Sequence, residues 1–116
     1  MELALRDLRE SLRVAPKDSG ACYELAWFLA TCPEDRFRSG AEAVSTATKG
    51  CELSHWENSG LIDALATAYA EAGAVDQAVK YEKQALNDSS LAPKEREERE
   101  KRLALFNQRK PFRDEF

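Results

Sequence analysis

The feature that most constrains this chain is the stretch from Ser59 to Ser90, SGLIDALATAYAEAGAVDQAVKYEKQALNDSS. Two apolar-periodic runs flank the break Ala72-Gly73-Ala74. In the first, Leu61, Ile62, Leu65, Ala66 and Tyr69 recur at steps of three and four; in the second, Val75, Ala78, Val79, Ala85 and Leu86 do so less strictly. Such spacing gathers apolar side chains on one face of a helix. Gly73 can adopt the left-handed backbone that ends the first helix. The pattern predicts two antiparallel helices joined by a tight turn, with small alanines along the seam so that the backbones approach closely.

Matched residues in this stretch carry a family resemblance. Ile62, Leu65, Ala66, Tyr69, Gly73, Ala78 and Ala85 stand at the spacings of a tetratricopeptide repeat, which the stretch therefore resembles. Two positions depart from the pattern. Glu82 occupies the slot usual for an aromatic residue, with Tyr81 beside it, and Ser90 stands where a closing proline is usual.

The remaining chain fits one domain, residues 1–116, with a modest core. Hydrophobic residues make up 43% and charged residues 33%, a balance that favours a globular fold over disorder. The net charge of -4 argues against a nucleic-acid partner, which calls for a basic stripe. No apolar run approaches the roughly 20 residues of a membrane span. Met1-Glu2-Leu3-Ala4-Leu5-Arg6-Asp7 carries charge where a signal peptide needs an apolar core. Three cysteines without CxxC spacing read as reduced thiols, and the expected location is cytoplasmic.

In chain order, residues 3–15 form a leading amphipathic helix with Leu5, Leu8, Leu12 and Ala15 on one side, stopped by Pro16. Its layout matches the second half of a repeat, with Ala4 and Ser11 at the small positions. The chain is thus expected either to be a fragment of a longer protein, the favoured reading, or to begin with a capping helix. Asp18 or Ser19 caps the next helix, which runs to about Thr31. Ser39-Gly40-Ala41-Glu42 is a capping-box pattern opening the following one. There Ala43 and Gly50 sit at the small positions, and Gly50 loses about 1 kcal/mol of helix propensity relative to alanine, which a close backbone contact would explain. The first full repeat is 19–54, with a long loop at 32–40; the second is 59–87. Ala26 and Ala66 are equivalent and stand forty residues apart, against about 34 for the family. Residues 93–108 form a capping helix. Its charged first half, Lys94 to Arg102, is expected to lie solvated, and its Leu103, Leu105 and Phe106 to cover the helix at 75–87. In the tail, 109–116, Pro111 and Phe112 are expected to fold back and Arg113 to Phe116 to fray.

Leu25-Ala26-Trp27-Phe28-Leu29-Ala30-Thr31-Cys32-Pro33, then Arg38, Gly40, Ala43, Val44, Cys51-Glu52-Leu53, Trp56 and Lys110-Pro111-Phe112-Arg113 resemble a bacterial subfamily of tetratricopeptide domains. These modules are commonly attached to larger signalling chains such as serine/threonine kinases. The resemblance implies an all-α superhelix of about two and a half repeats and a concave face lined by the first helix of each. On this sequence that face comprises Tyr23, Trp27, Ala30, Thr31, Asp63, Thr67, Ala70 and Glu71. Of these, Tyr23, Trp27, Thr31, Asp63, Thr67 and Glu71 are the candidate partner-binding residues. None is basic, so no clamp for a terminal carboxylate is expected. Asp63 and Glu71 favour arginine or lysine, and Trp27 offers a cation–π face, so a basic or apolar peptide segment is the expected partner. The competing reading leaves the groove idle, with Trp27 packed on the preceding helix.

Other chemistry is weaker. Cys22, Cys32, Cys51 and His55 invite a zinc reading, but Cys22 and Cys32 lie about 15 Å apart along one helix. Cys22 and Cys51 could pair under oxidation, which leaves a redox or metal switch as a third functional class. The single histidine and the lack of a phosphate-loop pattern argue against an enzyme. Arg36 and Arg38 in the long loop could grip an anion, but Arg38 is expected to tie the loop to a carboxylate, and Phe37 to anchor it in the core. The expectation is a non-catalytic protein-interaction module without cofactor or metal. The alternative is self-association into a homodimer through the terminal helices, favoured if Leu5, Leu8 and Leu12 are exposed.

Overall fold

Among the described residues the chain forms six helices, three of them opened by a side-chain cap. The computed structural model describes residues 1–115, and the helices are α1 (Glu2–Val14), α2 (Ser19–Thr31), α3 (Gly40–Leu53), α4 (Ser59–Glu71), α5 (Val75–Ala85) and α6 (Pro93–Asn107). Their ends differ from the expected runs by a residue or two. A short 3-10 turn, Asp35–Phe37, lies in the long loop, and the described residues contain no strand. No helix among them is long and apolar enough to cross a membrane.

The caps explain the boundaries. The Asp18 carboxylate accepts from the Gly20 and Ala21 N–H groups at 2.9 and 3.2 Å, satisfying donors that the helix itself cannot pair. Asn58 does the same for Gly60 and Leu61. Ser39 Oγ accepts from the Glu42 N–H, but the reciprocal half of the capping box is missing. The Glu42 carboxylate turns instead to Arg9 on α1, at 2.8 Å, and the Ser39 N–H donates to the Leu29 carbonyl. Gly73 adopts φ 84°, and the Ala74 N–H closes on the Tyr69 carbonyl at 2.9 Å, which turns α4 into α5.

Two glycines fix how the helices lie. A Cβ added to Gly50, near the end of α3, would fall 2.6 Å from Leu61 Cδ2 and 3.0 Å from Cys22 Cβ, at the starts of α4 and α2. One added to Gly40, at the start of α3, would fall 2.7 Å from the Ala72 backbone beyond the end of α4. Helices α2 and α4 therefore run in the same direction, with α3 antiparallel to both. Gly50 thus offsets its poor helix propensity by letting α3 lie directly against Leu61 and Cys22.

The core forms three clusters, bridged by the half-buried Val44, Tyr69 and Tyr81. Leu5, Leu25, Phe28, Leu29 and Phe37 bury together with Ala43 and Ala68, and Leu8 and Leu12 pack against them. The face of α1 named for self-association is thus engaged inside the chain. Phe37 meets Phe28 edge-on at 6.5 Å, anchoring the long loop, while Arg38 pairs with Asp35, bonds the Cys32 carbonyl and lies 3.4 Å from Glu71. At the other end, Phe106 is buried with Ala66 and Ala78, and Leu105, Tyr81 and Tyr69 pack around it.

Two expectations about the C-terminal third need correction. The charged half of α6 is solvated on one side only: Lys94, Glu97, Glu100 and Lys101 are exposed, but Arg99 and Arg102 are buried, because they turn inward to carboxylates on α4 and α5. The tail does not fray through the described residues: Arg113 pairs with Glu71 at 2.8 Å, and the Asp114 N–H donates to the Thr31 carbonyl at 3.0 Å. Phe116 lies outside the described residues.

Candidate functional site

The groove forms where α2 and α4 run side by side and α6 closes over them. Tyr23 and Trp27, one turn apart on α2, stack with ring centres 5.9 Å apart and interplanar angle 15°. Helix α4 contributes Asp63, Thr67 and Glu71 on the same side. The six candidate residues thus share one region, but unequally exposed. Thr31, Asp63 and Thr67 are buried, whereas Tyr23, Trp27 and Glu71 are half-buried. The Thr31 and Thr67 hydroxyls donate to the Trp27 and Asp63 carbonyls one turn back, at 2.6 and 2.8 Å, so each hydroxyl is engaged within its own helix. Ala30, also expected on this face, is fully buried in the core.

Arginines of the chain itself occupy the acidic positions. Arg102 bonds Asp63 through both Nε and Nη2, at 3.1 and 2.8 Å, a fork-to-fork pair. Arg99 Nε lies 3.9 Å from the same carboxylate and donates to Glu95 at 3.0 Å. Its Nη1 donates to the Ala85 carbonyl near the end of α5. The Arg102 guanidinium also sits 5.3 Å from the ring centres of both Trp27 and Phe112. Burial alone would lower the Arg102 pKa, but Asp63, Glu82 and Glu95 outweigh it and hold the group charged. The cation and the cation–π contact expected from a partner are therefore supplied from within.

Glu82 completes the cluster. It is fully buried, and neither carboxylate oxygen has a hydrogen-bonded partner of good geometry; Arg102 Nε lies 3.6 Å away. Burial, then the neighbouring Asp63 carboxylate, push its pKa up to about 10. A buried acid so placed keeps its proton at neutral pH. Burial and Asp63 likewise raise the Tyr23 phenol.

The tail fills the open end. Phe112 lies 5.8 Å from Trp27, ring centre to ring centre, and the Trp27 indole N–H donates to Asp114 Oδ2 at 2.7 Å. A cavity of about 380 Å³ remains, walled by Tyr23, Trp27, Glu98, Lys101, Phe112 and Asp114. Beyond Trp27, between α1 and α2, lies a second groove of about 610 Å³ lined by Met1, Ala4, Leu8, Tyr23 and Phe28.

From sequence alone, no site role falls to Arg99, Arg102, Glu82 or residues 112–114. The signal was present: Glu95, Arg99, Arg102 and Phe106 recur at steps of four, three and four, one stripe of a helix. The charged residue in the aromatic slot at 82 was its counterpart on α5.

The thiols offer little reactivity. Cys22, Cys32 and Cys51 are buried and unpaired; burial raises Cys22 and pushes Cys51 up to about 12. Helix α3 ends at Leu53, and His55 has φ 55° beyond it, so Cys51 and His55 do not share a helix face. Among the described residues no group of three or more His, Cys, Asp or Glu is arranged to hold a metal ion. Comparisons with family models, curated proteins and solved structures find no match.

Proposed function

We propose that the chain is a non-catalytic protein-interaction module of tetratricopeptide type, a curved stack of helical hairpins that receives an extended segment in the groove between α2 and α4. One observation carries the reading: that groove already holds a non-helical segment, residues 112–114, through aromatic, ionic and backbone contacts. The same-direction run of α2 and α4, with α3 returning between them, supports the repeat stack. The non-catalytic part is supported by the state of the reactive groups. The thiols are buried, with Cys22 and Cys51 raised, and the only histidine lies exposed in a turn. Buried, unpaired thiols also support work in a reducing, cytoplasmic setting. A single groove contact of this size suits micromolar binding, about −8 kcal/mol.

Trp27 is the residue to test, because it is half-exposed and touches the bound segment directly. Cross-linking pull-downs with the native chain and with Trp27→Ala, each checked for helical content by circular dichroism, read the groove. A partner recovered by the native chain and lost by the variant is the expected result. Equal recovery by both removes the groove from the interaction.

A further inference from the structure

The groove's occupant belongs to the chain itself, and its contacts describe what the groove accepts. Three consecutive side chains meet three different features. Phe112 lies against Trp27 and Arg102. Arg113 reaches Glu71. Asp114 accepts from the Trp27 indole N–H, while its own backbone N–H satisfies the Thr31 carbonyl, one of the last in α2 that no helical donor can reach. We propose that residues 112–114 are a displaceable occupant of this groove, and that the partner is an extended segment of the same chemistry: an aromatic residue, then arginine, then an acidic residue. The inference rests on the interaction reading above and adds to it the ligand class and a built-in control.

Displaceability follows from how the tail is held. Helix α6 ends at Asn107, and Arg109, at φ 61°, turns the chain back in a conformation that L residues rarely adopt. Phe112, Arg113 and Asp114 are each only half-buried, and the tail's backbone is tied to α2 by the Asp114 bond. The tail also leaves room unused. It contributes nothing to the lining of the 610 Å³ groove on the far side of Trp27. A partner carrying a further aliphatic side chain into that groove gains apolar burial denied to the tail. That gain offsets the advantage of a tethered competitor, whose effective concentration is of millimolar order. While the tail sits in place, the apparent affinity for any outside segment falls by the fraction of molecules that are open.

The probe is a fluorescein-labelled peptide with the sequence of Arg109–Glu115, titrated by anisotropy into the full chain. It is titrated also into the Phe112→Ala/Asp114→Ala variant, and into that variant carrying Trp27→Ala. Binding about tenfold tighter to the tail variant than to the native chain, lost with Trp27→Ala, is expected. A peptide extended by two leucines should bind the tail variant tighter still. Equal affinity for native chain and tail variant overturns the proposal, as does a folded tail variant that ignores the peptide. A tail variant that has lost its helical circular dichroism also overturns it, since the tail would then be a fixed part of the fold. Light scattering is expected to give a monomer; a dimer abolished by the tail substitutions would move the contact to a second copy and overturn the in-cis assignment. The two readings fail separately. A Trp27-dependent partner with no peptide binding removes only the tail proposal, and peptide binding with no Trp27-dependent partner removes only the interaction reading.

Discussion

Helix α4 has two seams, both packed with small apolar residues, and only one of them also buries charge. Toward α2 and α3 it meets Ala26, Ala43, Ala47, Gly40 and Gly50, and the backbones nest at distances a methyl group would disturb. Toward α5 and α6 its Ala66 packs on Ala78 and Phe106, but it also meets Glu82, Arg99 and Arg102, with its own Asp63 buried among them. The first seam is held by apolar burial and many small dispersion contacts, which need no partner of opposite sign. The second has taken charges out of water, and their attraction offsets that desolvation only while each keeps its partner. Close packing thus makes the first seam sensitive to volume, and the second sensitive to deletion and to pH.

Arg102→Ala should have the largest effect. It strips Asp63 of both its fork bonds and leaves Asp63 and Glu82 buried beside Arg99 alone. A loss of about 3–5 kcal/mol in urea unfolding is expected, the usual range for orphaning a buried charge. The comparison sharpens with a triple variant, Asp63→Leu, Glu82→Leu and Arg102→Met. It should recover most of that loss, because an apolar replacement of a buried ionic cluster is commonly neutral or stabilising. A triple variant as unstable as Arg102→Ala would mean that the second seam depends on shape, as the first does.

Gly40→Ala probes the volume-limited seam. The new methyl would meet the Ala72 backbone, which cannot swing aside, so roughly 1–3 kcal/mol of destabilisation is expected. Gly50→Ala should lose less. Its nearest obstacle is the tip of the Leu61 side chain, which can rotate, and alanine recovers about 1 kcal/mol of helix propensity. Thermal unfolding of the two variants side by side checks the order; equal losses would show that Leu61 is as immobile as the backbone.

The alanine and glycine packing was legible in the sequence and the buried ionic cluster was not, for a physical reason. Alanine and glycine at fixed steps announce close contact whatever their neighbours, so Ala43, Gly50 and Ala66 marked their own positions. Leu103, Leu105 and Phe106 marked one face of α6 in the same way. Arg99 and Arg102 read as solvated because arginine usually is. Their burial depends on Asp63 and Glu82, distant in sequence, and hydrophobic periodicity cannot register a stripe whose inward residues are charged. The six candidate residues expected on the concave face lie along α2 and α4, and the segment that covers them was hidden. Nothing local in Pro111-Phe112-Arg113-Asp114 shows that it will meet Trp27, Glu71 and Thr31, and only the turn at Arg109 brings it there.

Glu82→Gln tests the pH sensitivity of the second seam. The folded pKa of Glu82 lies above its ordinary value, so the native state holds this proton more tightly than the unfolded chain does. Its contribution is fully present below the ordinary glutamate range near 4.5 and is lost as pH rises toward about 10. Stability of the native chain against unfolding should therefore fall between pH 5 and 9, in the direction opposite to the usual carboxylate. Glutamine keeps the shape and removes the ionisation. The variant should be more stable than the native chain at pH 8 by at least about 1 kcal/mol, the equivalent of a single pKa unit, with a flatter profile. Parallel profiles for the two proteins would place the titrating group elsewhere.

Asp114→Ala should give the smallest stability change and completes the contrast, because the tail contact resembles the ionic seam in chemistry but not in depth. The variant removes the indole bond at Trp27 while both partners are half-exposed, so water can replace what is lost. A loss below about 1 kcal/mol follows. Trp27 should report the change directly: its emission should shift to the red as water reaches the indole, while Trp56, stacked on Tyr81 at 6.0 Å in a distant turn, stays constant. Denaturation that barely moves, with a shifted emission, would mark the tail as a contact resting on the fold. A loss above about 2 kcal/mol would instead give Asp114 the standing of Arg102, since only a bond sheltered from water can weigh that much.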